Sequence, residues 1–534
     1  MTLQQSRFPV INDAATAEGW WIERLTAPSR LYGANGIRTG PDGRIYVAQV
    51  SGSQISAVHP DTGVVEILSP MGGDIVAPDD LDFDEHGNLY VTEITEGRVS
   101  MRTTTGKTRI VCGDLPCANP ITIHQGRLFA GECRPDGRIM ELDLNGGAPR
   151  VLVDNVPLPN AMEVGPDGKL YFPVMGTNEI WRVDLAGGAP EVVARNLGVP
   201  DAVKFDSDGY IVSTQVASGQ VLRIDPATGN QQVLATIAPG LDNLTFIGRR
   251  LFVSSISGQI NEIMSGGELR SLVPDGLQWP LGLALDDDGV LLIADGAFAY
   301  TLRPGGEPEV AGMLFSPGFP GYARGVTAIG SGEYVVTTAN GDIVRWHPAS
   351  QSSETLASGF DQLYGIAVSS RGALLCAEQG RGRLLMQDGN RTETLLDNLN
   401  RPSGVTLHDD ICLVAEEGAG RIVKPGVGGA ITVLDGLSRP QGIHVRDNQL
   451  YIVDVGTRSL IAFDLLRGEQ VTVASDLPVG PPPGVIPKFI GSIGTMSGPM
   501  GPFADITSAP DGTLYLSADA DGSVLAIHPS NQAF

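Results

Sequence analysis

Six oxygen-bearing side chains recur in phase through the first half of the sequence. The stretch "VPDAVKFDSDGYIVST" (199–214) places Asp201 behind a proline and ahead of a turn glycine. The equivalent position in neighbouring stretches, about forty residues apart, is always an aspartate or an asparagine. The six positions are Asn35, Asp79, Asn119, Asn160, Asp201 and Asp242. We call them the ring positions, because a repeating fold would bring them together around one axis.

The chemistry of these side chains favours a hard divalent cation. Carboxylates that converge without a partner repel one another, and their charged forms are costly to bury. Oxygen ligands without histidine or cysteine are typical of calcium, which takes roughly 6–8 oxygens, and magnesium is the second choice. The sequence therefore predicts a calcium site, and it leaves open which of the six residues bind directly. Taken singly, each residue has the alternative role of capping a turn before a strand.

The same spacing defines a structural repeat. Each unit reads as four short apolar strands separated by turns, as in "GPDGKLYFPVMGTNEIWRVDLAGGAPEVVARN". Four-stranded units of about forty residues are blades of a β-propeller. Twelve units fit the chain, and we predict an all-β protein with two six-bladed propellers rather than one twelve-bladed ring.

The strands at the ends of the repeats suggest the domain boundaries. Propellers are commonly closed by a strand from the other terminus. We expect "WIERL" (21–25) to complete blade six and "ELRSLVP" (268–274) to open the second ring. The predicted parts are an N-terminal extension (1–19), a metal-binding propeller (20–266) and a second propeller (267–534). A Pro/Gly-rich insertion (478–501) is expected over one face of the second ring or across the junction.

The second half carries no equivalent acidic ring. Its ring positions are Leu281, Arg324, Tyr364, Ser403, Gln441 and Ala504. Turn chemistry alone would have kept Asp and Asn in both halves, so the contrast favours a cation site in the first half. We expect the second ring to be a scaffold, a partner surface or a wall of the pocket.

A second set of residues follows each ring position by thirteen or fourteen places. A hairpin returns such residues to the same face as the ring position. The set contains Gln49, Glu93 and Glu132 in the first half and Asp295, Glu378, Glu416 and Asp454 in the second. We predict that Glu93 and Glu132 line the mouth of the first channel as catalytic groups beside Asp201.

Short motifs in the first half resemble a known family. "LPNAMEVGPDGKLYF" and "VPDAVKFDSDG" are similar to the paired motifs of the senescence marker protein/gluconolactonase family of six-bladed, calcium-dependent hydrolases. The resemblance implies that Asn160 and Asp201 bind the metal and that Asn119 is a further or water-mediated ligand. The family's glutamate near the first blade falls near Asn35, and Asp79 and Asp242 are left to supply the missing charge.

The second half resembles other propellers. "RPSGVTLHDDICLVAEE" and "RPQGIHVRDNQLYIVD" are similar to the repeats of NHL proteins and streptogramin lyases. Those lyases use a histidine at the ring position with magnesium, whereas no ring position here is a histidine.

These observations predict a calcium-dependent hydrolase of a lactone or ester. The metal would polarise the carbonyl group, and Asp201 would activate water or act as acid and base. The alternatives are a metal-assisted lyase or isomerase of the streptogramin-lyase type and a binding protein with a structural metal.

The amino-acid composition excludes some classes of binding partner. The formal net charge of −25 argues against nucleic acid and against anionic membranes, which would be repelled. A small molecule is therefore the expected substrate, and the oligomeric state is not predicted. The first residues lack a signal-peptide pattern and no apolar run is long enough to span a membrane, which predicts a cytoplasmic protein.

Overall fold

The computed structural model describes residues 6–8 and 13–530 as an all-β chain. Their strands form twelve antiparallel sheets, of which eleven have four strands and one has five. The helical segments in the described residues are three short 3-10 turns, Met175–Thr177, Pro348–Ser350 and Glu417–Ala419. None of the described segments forms a helix that is long and apolar enough to cross a membrane. The predicted fold class, two six-bladed propellers, is confirmed.

The first propeller is built from six blades of four consecutive strands each. Its first three blades comprise, in chain order, Ile37–Thr39, Ile45–Gln49, Gln54–Val58 and Val65–Ser69; Pro78–Phe83, Leu89–Glu93, Arg98–Arg102 and Thr108–Cys112; and Ala118–His124, Arg127–Glu132, Gly137–Leu142 and Arg150–Val156. Blades four to six comprise Glu163–Val164, Lys169–Val174, Glu179–Asp184 and Glu191–Ala194; Pro200–Phe205, Ile211–Gln215, Gln220–Ile224 and Gln231–Thr236; and Leu241–Ile247, Arg250–Ser255, Ile260–Ile263 and Leu269–Val273.

Apolar packing between blades one and six closes this ring. Ile37 and Ile45 lie in one buried cluster with Phe252 and Ile260, where alternating apolar residues of the strands meet between neighbouring sheets. The backbone N–H of Thr39 also donates a hydrogen bond to the Thr245 hydroxyl, at 3.0 Å. The ring therefore closes with its own strands only, and Arg30–Asp275 and Val485–Thr495 form one compact unit.

The second propeller contains Gly276–Gly484 and the described residues before Arg30 and after Thr495. Blades seven to nine comprise Leu283–Leu285, Leu291–Asp295, Phe298–Leu302 and Glu309–Met313; Ala323–Gly330, Glu333–Thr338, Ile343–His347 and Ser352–Ala357; and Leu363–Val368, Leu374–Glu378, Arg383–Asp388 and Arg391–Leu396. Blades ten to twelve comprise Pro402–His408, Ile411–Glu416, Arg421–Gly426 and Gly429–Leu434; Pro440–Arg446, Gln449–Asp454, Ser459–Asp464 and Gln470–Ser475 with Ala15–Thr16 at the edge; and Ile506–Ser508, Leu514–Ala518 and Ser523–Pro529 with Trp20–Arg24.

The predicted domain boundaries differ from the structure because two strands pair in other blades than expected. Trp20–Arg24 pairs with Ser523–Pro529 in blade twelve, and Leu269–Val273 pairs with Ile260–Ile263 in blade six. A tight turn explains the second pairing, because the Gly267 N–H donates to the Met264 carbonyl and closes a local hairpin. The expected extension (1–19) also contributes Ala15–Thr16, which pairs with blade eleven. The first propeller thus extends to Asp275, and the N-terminal strand closes the second.

Deleting residues 1–25 is expected to destabilise blade twelve selectively. The deletion exposes the unpaired edge of Ser523–Pro529, whereas the first propeller has no strand from this segment. Hydrogen exchange should show faster exchange in 505–530 and unchanged protection in 30–275. Loss of protection in 241–273 instead would contradict this closure.

Candidate active site

A β-bulge presents the ring positions to the axis of the first propeller. In blade two, Asp79 and Asp80 lie opposite the single residue Thr92, and the same register shift occurs in blades three, five and six. The Thr92 hydroxyl accepts a hydrogen bond from the Asp80 N–H at 2.9 Å and donates one to the Asn119 carbonyl of the next blade at 2.8 Å. Bulges redirect side chains beside functional sites. Here the bulge fixes two successive residues at the axis in place of one.

The structure joins four of the predicted ring residues in two hydrogen-bonded pairs. Asp79, Asn119, Asn160 and Asp201 are buried, and Asn35 and Asp242 are half-buried. The amide of Asn160 donates to Asp201 Oδ2 at 3.1 Å, and the amide of Asn35 donates to Asp242 Oδ2 at 3.2 Å. Each of these two carboxylates therefore has an asparagine partner from a neighbouring blade.

The electrostatics of the ring show an excess of negative charge. Burial, and then the charge of Asp80, raise the pKa of Asp79 to about 8. Burial, followed by the charges of Asp242, Asp79 and Asp80, raises the pKa of Asp201 well above its ordinary value. Burial, then Asp79 and Asp80, raises the pKa of Asp242 in the same way. A bound cation would relieve both the repulsion and the cost of burial.

The donor set fits a hard cation, provided that the asparagines take part. Within the described residues, no three His, Cys, Asp or Glu side chains are arranged as a metal-binding group by themselves. The carboxylates alone therefore do not form a coordination shell, and amide oxygens must complete it. Carboxylate and amide oxygens without a soft ligand are the set that calcium takes.

Sequence reasoning missed a second layer of polar residues, Asp80 and Asn243, further along the same inner strands. Asn243 donates its amide to Asp80 Oδ1 at 3.2 Å. Burial raises the pKa of Asp80, and the nearby cations Lys204 and Arg38 oppose that rise. The periodicity contained the signal, because Asp80 and Asn243 each follow a ring position directly.

A buried ion-pair network lies beyond this layer. Arg38 contacts Asp82 at 3.1 Å and Glu163 at 2.8 Å, and Lys204 contacts Glu163 at 2.9 Å. Burial raises the pKa of Glu163, but Lys204 and Arg38 outweigh it and lower the pKa to about 2. Both cations are thus paired within the network, and no ion pair between described residues reaches a ring position of the first propeller.

Glu93 and Glu132, which the sequence predicts to be catalytic groups, each have structural hydrogen-bond partners. Glu93 is fully buried; its Oε2 accepts the Val76 N–H at 2.7 Å, and Arg98 binds both carboxylate oxygens at 2.9 and 2.6 Å. Glu132 is fully buried between Arg134 and Arg138. These donors occupy the carboxylate oxygens and hold both side chains within their own blades.

One hydrogen bond of Glu93 recurs in both propellers, and we call it the lock. In the lock, the side chain at the end of the second strand accepts a hydrogen bond from a backbone N–H in the loop that leads into its own blade. The pairs are Gln49 with Tyr32, Gln215 with Gly198, Asp295 with Gln278, Glu378 with Asp361, Glu416 with Asn400 and Asp454 with Ser438. Because the second propeller has the lock but no acidic ring, the lock stabilises blades and is not specific to a site.

Part of the insertion packs on the mouth of the first propeller. We call Val485–Thr495 the strap. A Cβ at Gly72 would lie 2.8 Å from the Ile486 carbonyl oxygen, and Cβ atoms at Gly491 and Gly494 would lie 3.5 Å from the Thr95 carbonyl oxygen and 3.1 Å from Cys117 Sγ. The strap thus lies beside loops that precede the inner strands of blades two and three and beside the loop that follows the second strand of blade two, at the end where the ring positions lie. The prediction for the insertion did not place this part on the first propeller.

Comparisons with known proteins agree with the motifs. Residues 31–257 match the family model described as the SMP-30/Gluconolactonase/LRE-like region. This match confirms the resemblance of the first half that was predicted from its motifs. No curated protein matches the chain.

Several solved structures are similar to about half of the chain. A streptogramin B lyase is 18% identical with a TM-score of 0.39, and the match covers 52% of this chain and 96% of the lyase. A gluconolactonase from Xanthomonas campestris is 17% identical with a TM-score of 0.38, with 46% and 95% covered. A protein described as a putative gluconolactonase is 17% identical with a TM-score of 0.39, with 50% and 99% covered.

Proposed function

We propose that the first propeller, whose residues 31–257 match a gluconolactonase-like family model, is a calcium-dependent hydrolase of a lactone or ester. The observation that carries the proposal is the ring of three acidic side chains, Asp79, Asp201 and Asp242, whose pKa values are raised by burial and mutual repulsion. The second propeller has no carboxylate at the equivalent positions, so the chemistry is assigned to the first.

Asp201, Asn160 and Asn119 would hold the metal, and Asp79 and Asp242 would supply further negative charge. Bound calcium would polarise the substrate carbonyl and stabilise the developing oxyanion. The Asn160 amide holds Asp201 Oδ2, so Oδ1 is the atom that would take a proton from the attacking water. The same carboxyl group would then protonate the leaving oxygen, as general acid–base catalysis requires.

Hydrolysis of a panel of lactones and esters tests this function. After a chelator has removed bound metal ions, the protein should be inactive. Added calcium should restore turnover, and added magnesium should restore less of it. In water enriched in heavy oxygen, one solvent oxygen should enter the product. An unsaturated or isomerised product without solvent oxygen would favour a metal-assisted lyase or isomerase, and no turnover with metal bound would favour a binding protein with a structural metal.

The strap is expected to determine substrate affinity. Its Phe489 is 63% exposed and lies between residues that pack on the mouth of the first propeller. Phe489→Ala should raise KM about 10-fold for substrates with an apolar substituent, because an aromatic contact contributes roughly 1.5 kcal/mol. Thermal stability should not change. The control is Val427→Ala, which shortens an exposed apolar side chain of the second propeller. An unchanged KM for every substrate would contradict this role.

A further inference from the structure

Arg324 is a buried cation that has no anionic partner in the part of the chain that the structure describes. It occupies a ring position of the second propeller and is 0% exposed. Its Nη1 donates to the Leu363 carbonyl at 3.3 Å, and its guanidinium lies over the Tyr364 ring with 4.6 Å between Cζ and the ring centroid. Among the described residues, Nε and Nη2 have no hydrogen-bond partner. The guanidinium group is positively charged and has only donors to offer.

The two unpartnered nitrogens form one edge of the guanidinium group. The Nε–H and Nη2–H bonds are parallel and spaced to bind both oxygens of a carboxylate. The other edge is fixed by Leu363, and the face is fixed by Tyr364. Arg324 is therefore oriented with its bidentate edge free, whereas the buried glutamates of the blades are each already bound by arginines or backbone donors.

Burying an unpaired guanidinium costs several kcal/mol, which the propeller must offset. Asp505, which directly follows the ring position Ala504, accepts the Leu283 N–H at 3.1 Å and is not bonded to Nε or Nη2 of Arg324. The other ring positions supply no charge that would balance it, since they are Leu281, Tyr364, Ser403, Gln441 and Ala504. An external anion is the remaining way to compensate the charge.

We propose that the second propeller binds a small carboxylate at the Nε and Nη2 atoms of Arg324. One cation balances one negative charge, and the planar edge matches a carboxylate. The surroundings are largely apolar, because Leu281 and Phe503 are fully buried and Phe503 packs edge-on against Tyr364 at 5.8 Å. This environment favours a monoanionic carboxylate over a doubly charged phosphate, whose second charge would have no partner.

The segment around Phe503 encloses the site. A Cβ at Gly501 would lie 2.4 Å from the Tyr364 hydroxyl oxygen, so a glycine allows the chain to pass close to this ring. Met500 and Phe503 are buried. A carboxylate bound beside Tyr364 would be shielded from water, which strengthens its charge-assisted hydrogen bonds. The site does not depend on the calcium chemistry proposed for the first propeller.

Acetate titration tests this site. The full chain, dialysed into a carboxylate-free buffer, should bind one acetate by calorimetry and should not bind acetamide, its neutral analogue. Arg324→Lys keeps the charge but removes the bidentate edge, and acetate affinity should fall at least ~10-fold. The control is Arg458→Lys, since Arg458 also lies over an aromatic ring, that of Phe8, in the same propeller.

Two results would overturn the proposal: no acetate binding by the wild-type chain, or equal binding by the Arg324→Lys variant. If that variant does not fold, crystals of the wild-type chain grown in the presence of acetate will test the site. A planar acetate bonded to Nε and Nη2 supports the site, and ordered water alone at these atoms contradicts it.

Discussion

Replacing Asp201 by asparagine is expected to lower kcat/KM by at least about 100-fold. The substitution is nearly isosteric, so the contact with Asn160 at 3.1 Å and the packing of blade five can persist. It removes one negative charge and the only proton acceptor in the proposed mechanism. Calcium affinity should also fall, because a neutral amide is a weaker ligand than a carboxylate. Steady-state kinetics and calcium calorimetry on the same preparation measure both effects.

Two further variants separate the roles of metal and base. Asn160→Ala should act mainly through the metal, so that a high calcium concentration restores part of the rate. Ser403→Ala changes a ring position of the second propeller, where its hydroxyl donates only to backbone carbonyls, and both activity and calcium affinity should be retained. Full activity in Asp201→Asn would contradict the assignment of the base.

Replacing Glu93 by alanine is expected to destabilise the first propeller by about 3 kcal/mol or more. The change leaves the Val76 N–H without its acceptor and Arg98 without its carboxylate. Glu93→Gln should cost much less, since Gln49 and Gln215 perform the same backbone lock in blades one and five. Denaturant unfolding measures both variants, and Gln49→Ala is a matched test of the lock without an ion pair.

Activity of the glutamine variant distinguishes a structural from a catalytic role for Glu93. A structural lock predicts that Glu93→Gln folds and keeps kcat within a few-fold of the wild-type value. A stable Glu93→Gln protein with a rate loss of about 100-fold would restore the catalytic role that the sequence predicted.

The ring positions could be predicted from the sequence because their spacing follows the repeat. In blades two, three, five and six, a bulge in the inner strand places the residue after Pro78, Ala118, Pro200 or Leu241 at the axis. A side chain that follows the repeat therefore has a predictable position, whatever its chemistry. The layer of Asp80 and Asn243 obeys the same rule and could have been found in the same way.

The sheet that a terminal strand joins and the hydrogen-bond partners of individual side chains could not be predicted in this way. A strand such as Trp20–Arg24 has the same pattern in either ring, so periodicity does not say which sheet edge it joins. The partners of Glu93 could not be predicted because one of them is a backbone N–H in the loop of its own blade, which has no sequence signature. The recurrence of Glu378 and Glu416 in the half without an acidic ring was the available clue.

The location of a bound cation tests the central claim most directly. Crystals of the full chain should be grown with calcium and, separately, with strontium, whose anomalous scattering identifies the ion. We expect one ion on the axis of the first propeller, with oxygens of Asp201 and Asn160 at about 2.3–2.6 Å from calcium. An ion bound only in the second propeller, or a first propeller that stays empty at saturating calcium, would contradict the account.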